Sequence, residues 1–333
     1  MIKFAIVGYG NIGRRHAEHI LHNKGARLVA VCDTDPRIKE MLPPGEILFY
    51  EHIEALLSGA DADVVCVCTP NYLHCPHTIA ALHAGKHVVV EKPMALSTAE
   101  CNEMISAALQ QDRIIFAVKQ NRYNPPVQEV KKLMTQSALG KILLIQVNCF
   151  WNRGAAYYDQ SSWRGKKMQD GGCLFTQFSH FVDILYYLNG PITEATGKTA
   201  NFLHGHNTEF EDSGSFIMKA GNGALINFNF STCAYEKNME GSITILGEKG
   251  TVKIGGQYLN TIEYQCMEGE ALPHINISAK ENDYGLYKGS MSNHDKVIQN
   301  VLDVLGHREA VMAGAEDGKA VVGIIEMMYA GVR

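Results

Sequence analysis

The amino-acid sequence predicts an α/β protein in which a doubly wound parallel sheet is followed by an α+β domain with an open, largely antiparallel sheet. Its first ~120 residues alternate short β-branched runs with helical segments, which is the pattern of βαβ units. After Asn124-Pro125-Pro126 the pattern changes to alternating strands joined by glycine-containing turns. A length of 333 residues suits two domains. We assign residues 1–121 to the first domain and 122–333 to the second.

The strands of the first domain are near-continuous apolar runs, which indicates that helices cover both faces of the sheet. Between them, Ser97-Thr98-Ala99-Glu100 forms a capping box that opens a helix, and Gly85 stands where a helix C-cap glycine belongs. The predicted strands are Ile2–Val7, Leu28–Cys32, Ile47–Tyr50, Val64–Cys68, His87–Val90 and Ile114–Val118.

The second domain begins with one helix and a strand of clean alternation, and we expect helices on one face of its sheet. Two turn signals, Gly221-Asn222-Gly223 and Glu248-Lys249-Gly250, favour an antiparallel meander. The residues predicted to share a face of the first strand are Leu143, Ile145, Val147, Cys149 and Trp151. Further strands are predicted at Asp212–Met218, Ala224–Thr232, Ser242–Leu246 and Thr251–Ile254.

Composition excludes several classes of function. No segment approaches the ~18 consecutive apolar residues of a membrane helix, so no membrane partner is expected. A formal net charge of -5 argues against a general affinity for nucleic acid. The N-terminus shows no export signal, and the nine cysteines are scattered without a Cys-x-x-Cys pair, which favours a reducing cytoplasm. His74-Cys75-Pro76-His77 resembles a metal cluster in composition only, since no further ligands stand at suitable spacing, and no metal is expected.

A glycine-rich turn, Gly8-Tyr9-Gly10-Asn11-Ile12-Gly13, follows a buried strand and precedes a helical run. That context favours the diphosphate-binding turn of a Rossmann domain over a chance turn. Asp33 ends the second strand, where a carboxylate accepts hydrogen bonds from ribose hydroxyls and repels a 2′-phosphate, although it could also simply begin a turn. NAD is therefore favoured over NADP, with Arg37 close enough in sequence to oppose that preference.

Glu91-Lys92-Pro93 stands at the carboxyl end of the fifth strand, the edge where open α/β sheets bind ligands. A lysine there can take the proton of a substrate hydroxyl and stabilise the alkoxide as hydride leaves. The alternative is a surface lysine that ends a strand.

A second polar element lies in the stretch from Asp170-Gly171-Gly172 to Asp183. Read as one helix after the two glycines, it places Thr176 and His180 on one face, with Gln177 three residues before the histidine. Because the surroundings are apolar, His180 is either a buried structural histidine or a base in a dry pocket. Spacing alone leaves both open, and it leaves His204, His206 and His294 unassigned.

The glycine turn with Asp33, Glu91-Lys92-Pro93 and the glycine pair leading to His180 together resemble the glucose-fructose oxidoreductase, inositol dehydrogenase and MocA family. The resemblance spans almost the whole chain and implies that Lys92 and His180 flank the reacting carbon and that Pro93 follows a cis peptide. It also implies a homo-oligomer, a dimer or tetramer, formed through the C-terminal sheet. Many relatives carry an aspartate where this chain has Thr176, which puts a carboxylate-assisted histidine in doubt. Motif and resemblance together assign the cofactor site to Gly8, Gly10, Asn11, Ile12, Gly13, Asp33, Thr69, Pro70, Asn71, His74, Glu91, Lys92 and Gln120.

A narrower resemblance, to UDP-N-acetylglucosaminuronate dehydrogenases of bacterial surface-sugar pathways, lies in Trp151-Asn152-Arg153, Tyr157-Tyr158-Asp159-Gln160, Trp163-Arg164-Gly165 and Gln177-Phe178-Ser179-His180. It implies oxidation of the sugar 3-hydroxyl to a ketone. Guanidinium groups suit a carboxylate or diphosphate, and aromatic rings suit a sugar or uracil. The alternative is an aromatic loop packed on the sheet or at a subunit interface. The substrate site is assigned to Asn121, Arg122, Arg153, Tyr157, Tyr158, Trp163, Arg164, Thr176 and Gln177.

Two other functions remain open on this sequence. One is a dehydrogenase of a free sugar or inositol, which would retain no UDP on purification. The other is an NAD-dependent glycosidase, which oxidises its substrate transiently and releases no net NADH.

Overall fold

A computed structural model of the chain describes residues 1–269, 281–283 and 288–333, the segment 281–283 by its backbone alone. The chain divides into two compact units, Met1–Lys119 with His294–Val322, and Gln120–Asn293 with Gly323–Arg333. The predicted fold class, a parallel sheet followed by a largely antiparallel one, is confirmed. The division differs from the predicted boundary after residue 121, because residues 294–322 return to the first unit.

A six-stranded sheet forms the centre of the first unit. Its strands are β1 (Ile2–Val7), β2 (Ala26–Cys32), β3 (Leu48–Tyr50), β4 (Val64–Val67), β5 (His87–Val90) and β6 (Ile115–Ala117). They run parallel in the order β3-β2-β1-β4-β5-β6, which is the strand order of a dinucleotide-binding Rossmann fold. In this order the carboxyl ends of β1 and β4 flank the point where the winding reverses, the place where such sheets bind ligands.

The helices of the first half are α1 (Asn11–His22), α2 (Ile53–Gly59), α3 (His74–His83) and α4 (Thr98–Gln111), with 3-10 turns at Pro36–Met41 and Asn71–Leu73. Ser97 caps α4 as predicted, accepting from the Glu100 N–H at 3.2 Å, and the Glu100 carboxylate accepts from the Leu96 N–H at 2.9 Å, one residue before the position that a capping box uses. Gly85 has φ +73°, as a helix C-cap glycine requires.

The second unit is built on a seven-stranded sheet. Its helices are α5 (Pro125–Thr135), α6 (Ala155–Asp159), α7 (Lys167–Asp170), α8 (Cys173–Thr176) and α9 (Ser179–Asn189), preceded by a 3-10 turn at Gln120–Tyr123. Its strands are β7 (Ile142–Phe150), β8 (Ile192–Ala200), β9 (Ser213–Ala220), β10 (Leu225–Ser231), β11 (Glu240–Gly247), β12 (Gly250–Gly255) and β13 (Thr261–Met267). A separate pair is formed by β14 (Glu281–Asp283) and β15 (Lys288–Met291).

The order β13-β12-β11-β7-β10-β9-β8 is not a simple meander, because β7 lies between β10 and β11 and pairs with β10 in parallel. The other pairs are antiparallel, and the two predicted turns join β9 to β10 and β11 to β12. One residue of the predicted shared face of β7 does not lie on it. Leu143 is 47% exposed, while the next four residues of its predicted face are buried. The pairing of β7 with β11 shifts register beside it, which turns Leu143 away from the core.

The returning segment contains α10 (His294–Leu305) and the first half of α11 (Ala315–Ala330). Helix α10 packs on α1, where the Asn23 side chain donates to Gln299 at 3.0 Å. Among the helices of the described residues, none is long and apolar enough to cross a membrane.

Candidate active site

The glycine-rich turn between β1 and α1 fits a bound diphosphate. Gly8 has φ +89°, and a Cβ there would lie 2.7 Å from the Cys68 carbonyl oxygen. A Cβ on Gly13 would lie 2.0 Å from the Gly8 oxygen, whereas one on Gly10 meets no described atom within 4 Å. Helix α1 starts at Asn11 and Ile12 without a side-chain cap or an acidic residue in its first turn. Its N–H groups are therefore open toward an anion.

Asp33 follows β2 and is held against this turn. Its carboxylate accepts from the Tyr9 N–H at 2.7 Å and from the Asp35 N–H at 3.0 Å, so the residue both begins a turn and faces the glycine loop. Arg37 points elsewhere, since it pairs with Asp35 at 2.7 Å and its side chain is 85% exposed.

We expect Asp33→Ala to lower the ratio of kcat/KM for NAD over NADP by about 10- to 100-fold, because it removes both the ribose acceptor and the charge that repels a 2′-phosphate. Steady-state kinetics with both cofactors measures the ratio. Arg37→Ala serves as the control and should leave it unchanged. A wild-type enzyme that uses both cofactors equally would refute this role of Asp33.

The loop after β4 contains Thr69, Pro70 and Asn71, and it is tied to the loop after β5 by His74. The His74 ring contacts the Pro93 carbonyl oxygen at 2.6 Å through Nδ1 and the Thr69 carbonyl oxygen at 2.9 Å through Nε2. Burial lowers the pKa of His74. Both loops lie at the carboxyl edge of the sheet, so this histidine fixes one against the other.

Glu91 stands at the end of β5, one residue before Lys92. The Lys92–Pro93 peptide bond is cis, as the family resemblance implied. The Glu91 carboxylate is buried, accepts from the Lys92 N–H at 3.1 Å and is hydrogen-bonded by His16 Nε2 at 2.8 Å. Burial by itself would raise the pKa of Glu91, but the histidines beside it hold that pKa well below its usual range. A charged Glu91 thus anchors the main chain of Lys92.

His294, which sequence spacing left undecided, joins this cluster as the first residue of α10. Its Nε2 lies 3.6 Å from Glu91 Oε1, beyond hydrogen-bond range, and its ring packs edge-on against that of His16. Burial lowers the pKa of His294 to about 4, so its ring stays neutral. We therefore assign the stabilisation of the Glu91 charge chiefly to His16, which the sequence signalled only by its position three residues after Gly13.

In the second unit, the 3-10 turn at Gln120–Tyr123 presents buried amide groups. Gln120 donates to Ser290 Oγ at 2.9 Å. Its Oε1 and the Oδ1 of Asn121 are buried and accept no hydrogen bond from any residue that the structure describes. Oε1 of Gln177 and Oγ of Ser179 are in the same situation. Such atoms suit a site in which a ligand supplies the missing partners.

Arg122 is the cation of a buried pair. Its guanidinium contacts the Asp183 carboxylate at 2.8 to 3.2 Å through two nitrogens and lies over the Tyr187 ring at 4.7 Å. The side chain is only 2% exposed. This ion pair connects the 3-10 turn to α9, and the charge of Arg122 is balanced by Asp183 inside the protein.

Arg153 and Arg164 meet at one tyrosine ring. The guanidinium carbons lie 5.4 Å and 4.4 Å from the centre of the Tyr157 ring, and Arg164 lies 5.4 Å from the Trp163 ring. Tyr158 packs edge-on against Tyr157. We call Arg153, Tyr157, Trp163 and Arg164 the arginine-aromatic cluster. It combines two positive charges with flat apolar faces, as a site for an anionic sugar or nucleotide requires.

The predicted single helix through His180 is interrupted. Helix α8 ends at Thr176 and α9 begins at Ser179, so Thr176 and His180 are not one turn apart on a continuous helix. Gln177, between the two helices, donates to the Tyr157 hydroxyl at 3.1 Å. His180 lies in the first turn of α9 and is 6% exposed.

Thr176 stands beside a carboxylate that sequence reasoning had not singled out. Its hydroxyl donates to the side chain of Asp170, which is fully buried and also accepts from the Gly165 N–H at 2.9 Å. Asp170 therefore connects the position of the missing family aspartate with the loop that carries Arg164. The signal in the sequence was an acidic residue directly before Gly171-Gly172.

Two family descriptions match the chain. The oxidoreductase family with an NAD-binding Rossmann fold matches residues 2–119, and the GFO/IDH/MocA C-terminal domain matches residues 127–253. A solved WlbA dehydrogenase from Bordetella pertussis, in complex with NADH and UDP-GlcNAcA, is 32% identical over 99% of this chain and 96% of its own, with a TM-score of 0.89. The chain belongs to the Gfo/Idh/MocA family. It is an NAD-dependent oxidoreductase of that family, with NAD held by its first unit.

Curated relatives of the chain are more distant and differ in activity. A 1-carboxy-3-chloro-3,4-dihydroxycyclohexa-1,5-diene dehydrogenase of Comamonas testosteroni is 27% identical over 74% of this chain and 63% of its own length. A 2,7-anhydro-N-acetylneuraminate hydratase of Mediterraneibacter gnavus is 29% identical over 87% of this chain and 77% of its own length. Family membership alone therefore leaves the substrate open.

Proposed function

We propose that this enzyme oxidises the 3-hydroxyl of UDP-N-acetylglucosaminuronate to a ketone, in the biosynthesis of a diamino sugar for a surface polysaccharide. The arginine-aromatic cluster carries this proposal. In a chain of net charge -5, two guanidinium groups on one buried tyrosine ring form a local anion site beside rings that suit a sugar or uracil.

Comparison with the WlbA dehydrogenases supports this substrate. The Bordetella protein described above was solved with UDP-GlcNAcA, and so was a WlbA dehydrogenase from Chromobacterium violaceum that is 33% identical over 99% of this chain. Both likenesses extend over the arginine-aromatic cluster as well as the cofactor domain.

In the proposed reaction, Lys92 and His180 are the two groups that transfer the proton of the sugar hydroxyl. Gly8, Gly10, Gly13 and Asp33 would hold the diphosphate and the ribose of NAD, which would accept the hydride when bound. Lys92 is placed at the carboxyl edge of the sheet by Glu91, and an amine there can accept the hydroxyl proton and stabilise the alkoxide. His180, buried in the first turn of α9, is the second proton-transfer group.

A second candidate is a reaction with no net redox change, which the likeness to the 2,7-anhydro-N-acetylneuraminate hydratase favours. In such a reaction a transient oxidation would assist an elimination or hydration, and the cofactor would end in its starting state. A free sugar or inositol is the remaining alternative substrate, supported by a relative that is an inositol 2-dehydrogenase of Rhizobium meliloti at 25% identity.

A panel of substrates tests the proposal. The purified enzyme and NAD are mixed with UDP-N-acetylglucosaminuronate, UDP-N-acetylglucosamine, glucose and inositol, and NADH absorbance is followed. We expect the acidic UDP-sugar to give the fastest formation of NADH and a 3-keto product by mass spectrometry. Activity on free sugars alone would overturn the substrate, and product without NADH would favour the hydratase-like reaction.

We also propose a homo-oligomer that forms through the open face of the seven-stranded sheet. Ile217, Leu225 and Leu246 are exposed there, on strands whose alternate residues are buried. Exposed apolar residues on a sheet face suit a subunit contact.

A further inference from the structure

A buried histidine contacts the backbone of the arginine-aromatic cluster. His204 lies between β8 and β9 and is 4% exposed. Its Nε2 is 2.7 Å from the carbonyl oxygen of Arg153, and its Nδ1 is 3.1 Å from Oδ2 of Asp212. Both ring nitrogens therefore face acceptor atoms.

A neutral imidazole cannot satisfy both contacts, because it carries one N–H and one lone pair. With the proton on Nδ1 alone, the Nε2 lone pair would face the Arg153 carbonyl oxygen at 2.7 Å, which is repulsive. With the proton on Nε2 alone, the Nδ1 lone pair would face a carboxylate. A proton on Asp212 is disfavoured in turn, because its Oδ2 already accepts from the N–H groups of Phe202 and Leu203 at 2.9 and 2.7 Å. The doubly protonated ring satisfies every contact.

We propose that His204, held as an imidazolium by Asp212, is a positioning residue that fixes the main chain of Arg153 for binding the anionic part of the substrate. The inference rests on the proposed function for the identity of that substrate. The Arg153 carbonyl precedes Gly154 and α6, the helix that carries Tyr157 and Tyr158. One hydrogen bond from His204 thus anchors the main chain at the start of the segment that contains the cluster. The Arg153 guanidinium separately donates to Oδ1 of Asn238 at 3.2 Å.

A metal ion is the other reading of this cluster, because Cys233 Sγ lies 4.0 Å from His204 Nδ1. Three observations oppose it. The contact of His204 with Asp212 has hydrogen-bond length, the Asp212 carboxylate is already occupied by two backbone donors, and burial raises the pKa of the Cys233 thiol, which must ionise to bind a metal.

Two substitutions distinguish the hydrogen bond of His204 to Arg153 from its hydrogen bond to Asp212. His204→Asn keeps a donor near the Nδ1 position, facing Asp212, but loses the bond to Arg153. His204→Gln reaches the Nε2 position and keeps a neutral donor to Arg153. We expect His204→Asn to raise KM for UDP-N-acetylglucosaminuronate by about tenfold or more, with kcat and KM for NAD unchanged, and His204→Gln to recover part of that loss.

The matched control is His206→Asn, an exposed histidine two residues along the same loop. It should change no kinetic constant, and thermal unfolding of all three variants confirms that they are folded.

Nitrogen NMR of the histidine rings tests the charge without any substrate. Two protonated ring nitrogens on His204 at neutral pH, lost in His204→Gln, would support the proposal. A neutral ring, a metal ion retained at one per chain, or equal changes of KM for the acidic and the uncharged UDP-sugar would overturn it. If the wild type fails to use UDP-N-acetylglucosaminuronate at all, the proposed function fails, and the NMR measurement still decides the state of His204.

Discussion

Replacing Lys92 or His180 with alanine is expected to lower kcat by about 10²- to 10⁴-fold, the usual contribution of a positioned proton-transfer group. The Kd for NAD should change little, because neither residue lies in the Gly8 to Gly13 turn that fits the diphosphate. Lys92 stands at the carboxyl edge of the parallel sheet on a main chain that Glu91 anchors at 3.1 Å, and His180 stands in the first turn of α9. Steady-state kinetics measures kcat, and a fluorescence titration with NADH measures the affinity for the cofactor.

The control for this prediction is His19→Ala, a histidine of α1 outside the assigned site, which should keep kcat near the wild-type value. Losses below tenfold at both Lys92 and His180 would place the chemistry elsewhere. A pH profile of kcat then separates the two residues, since the variant that lacks the general base should lose the acidic limb of the profile.

Thr176→Asp would restore the family aspartate, yet the structure shows why it is a poor test on its own. Thr176 donates to Asp170, so a new carboxylate would meet a buried one and one of the two would have to bind a proton. Exchanging the pair, with Thr176→Asp and Asp170→Thr together, avoids that repulsion and keeps one carboxylate in place.

The second large effect concerns the charge of the substrate. UDP-N-acetylglucosaminuronate should exceed UDP-N-acetylglucosamine, which lacks the sugar carboxylate, in kcat/KM by about 100-fold or more, because the second sugar cannot make the charge-assisted hydrogen bonds that a guanidinium gives to a carboxylate. Arg153→Met and Arg164→Met keep the bulk of the side chain on the Tyr157 ring and remove the charge. At least one of them should lose most of this preference while activity on the uncharged sugar persists.

Arg122→Met is the matched comparison, because Arg122 is already paired with Asp183 in the protein interior. It should lower the free energy of unfolding by about 3–5 kcal/mol, the usual cost of leaving one partner of a buried pair, without changing the ratio between the two sugars. Equal activity on both UDP-sugars in the wild type would contradict an anion site at the arginine-aromatic cluster.

Local sequence patterns were sufficient for much of the first unit. The strand, the glycine turn and the helix that follows are consecutive in the chain, and the reasons for Gly8 and Gly13 are contacts within a few residues or with an adjacent strand. The predicted helix cap at Ser97 and the positive φ of Gly85 also depend only on residues that are close in the chain. The bounds of β1 and β5 are those predicted, and the bounds of the other four strands of this unit differ by one or two residues, since the ends of strands depend on their neighbours in the sheet.

Other features depend on contacts between residues far apart in the chain, which spacing does not reveal. Spacing left His294 unassigned, and only the fold packs α10 on α1 and brings His294 to Glu91 and His16. Likewise, the sequence assigned Arg122 to the substrate site without showing that Asp183 lies against it, and it placed Leu143 on the face of Ile145 without showing the register shift that turns Leu143 outward.

The sequence by itself determined the fold class, the cofactor and the family, because these rest on periodicity and on motifs whose parts are adjacent along the chain. Only the tertiary structure decided which charged side chains meet in the protein interior. The reason is that the acceptors of a buried cation can come from distant parts of the chain: Arg122 donates to Asp183, 61 residues away, and Arg153 donates to Asn238, 85 residues away.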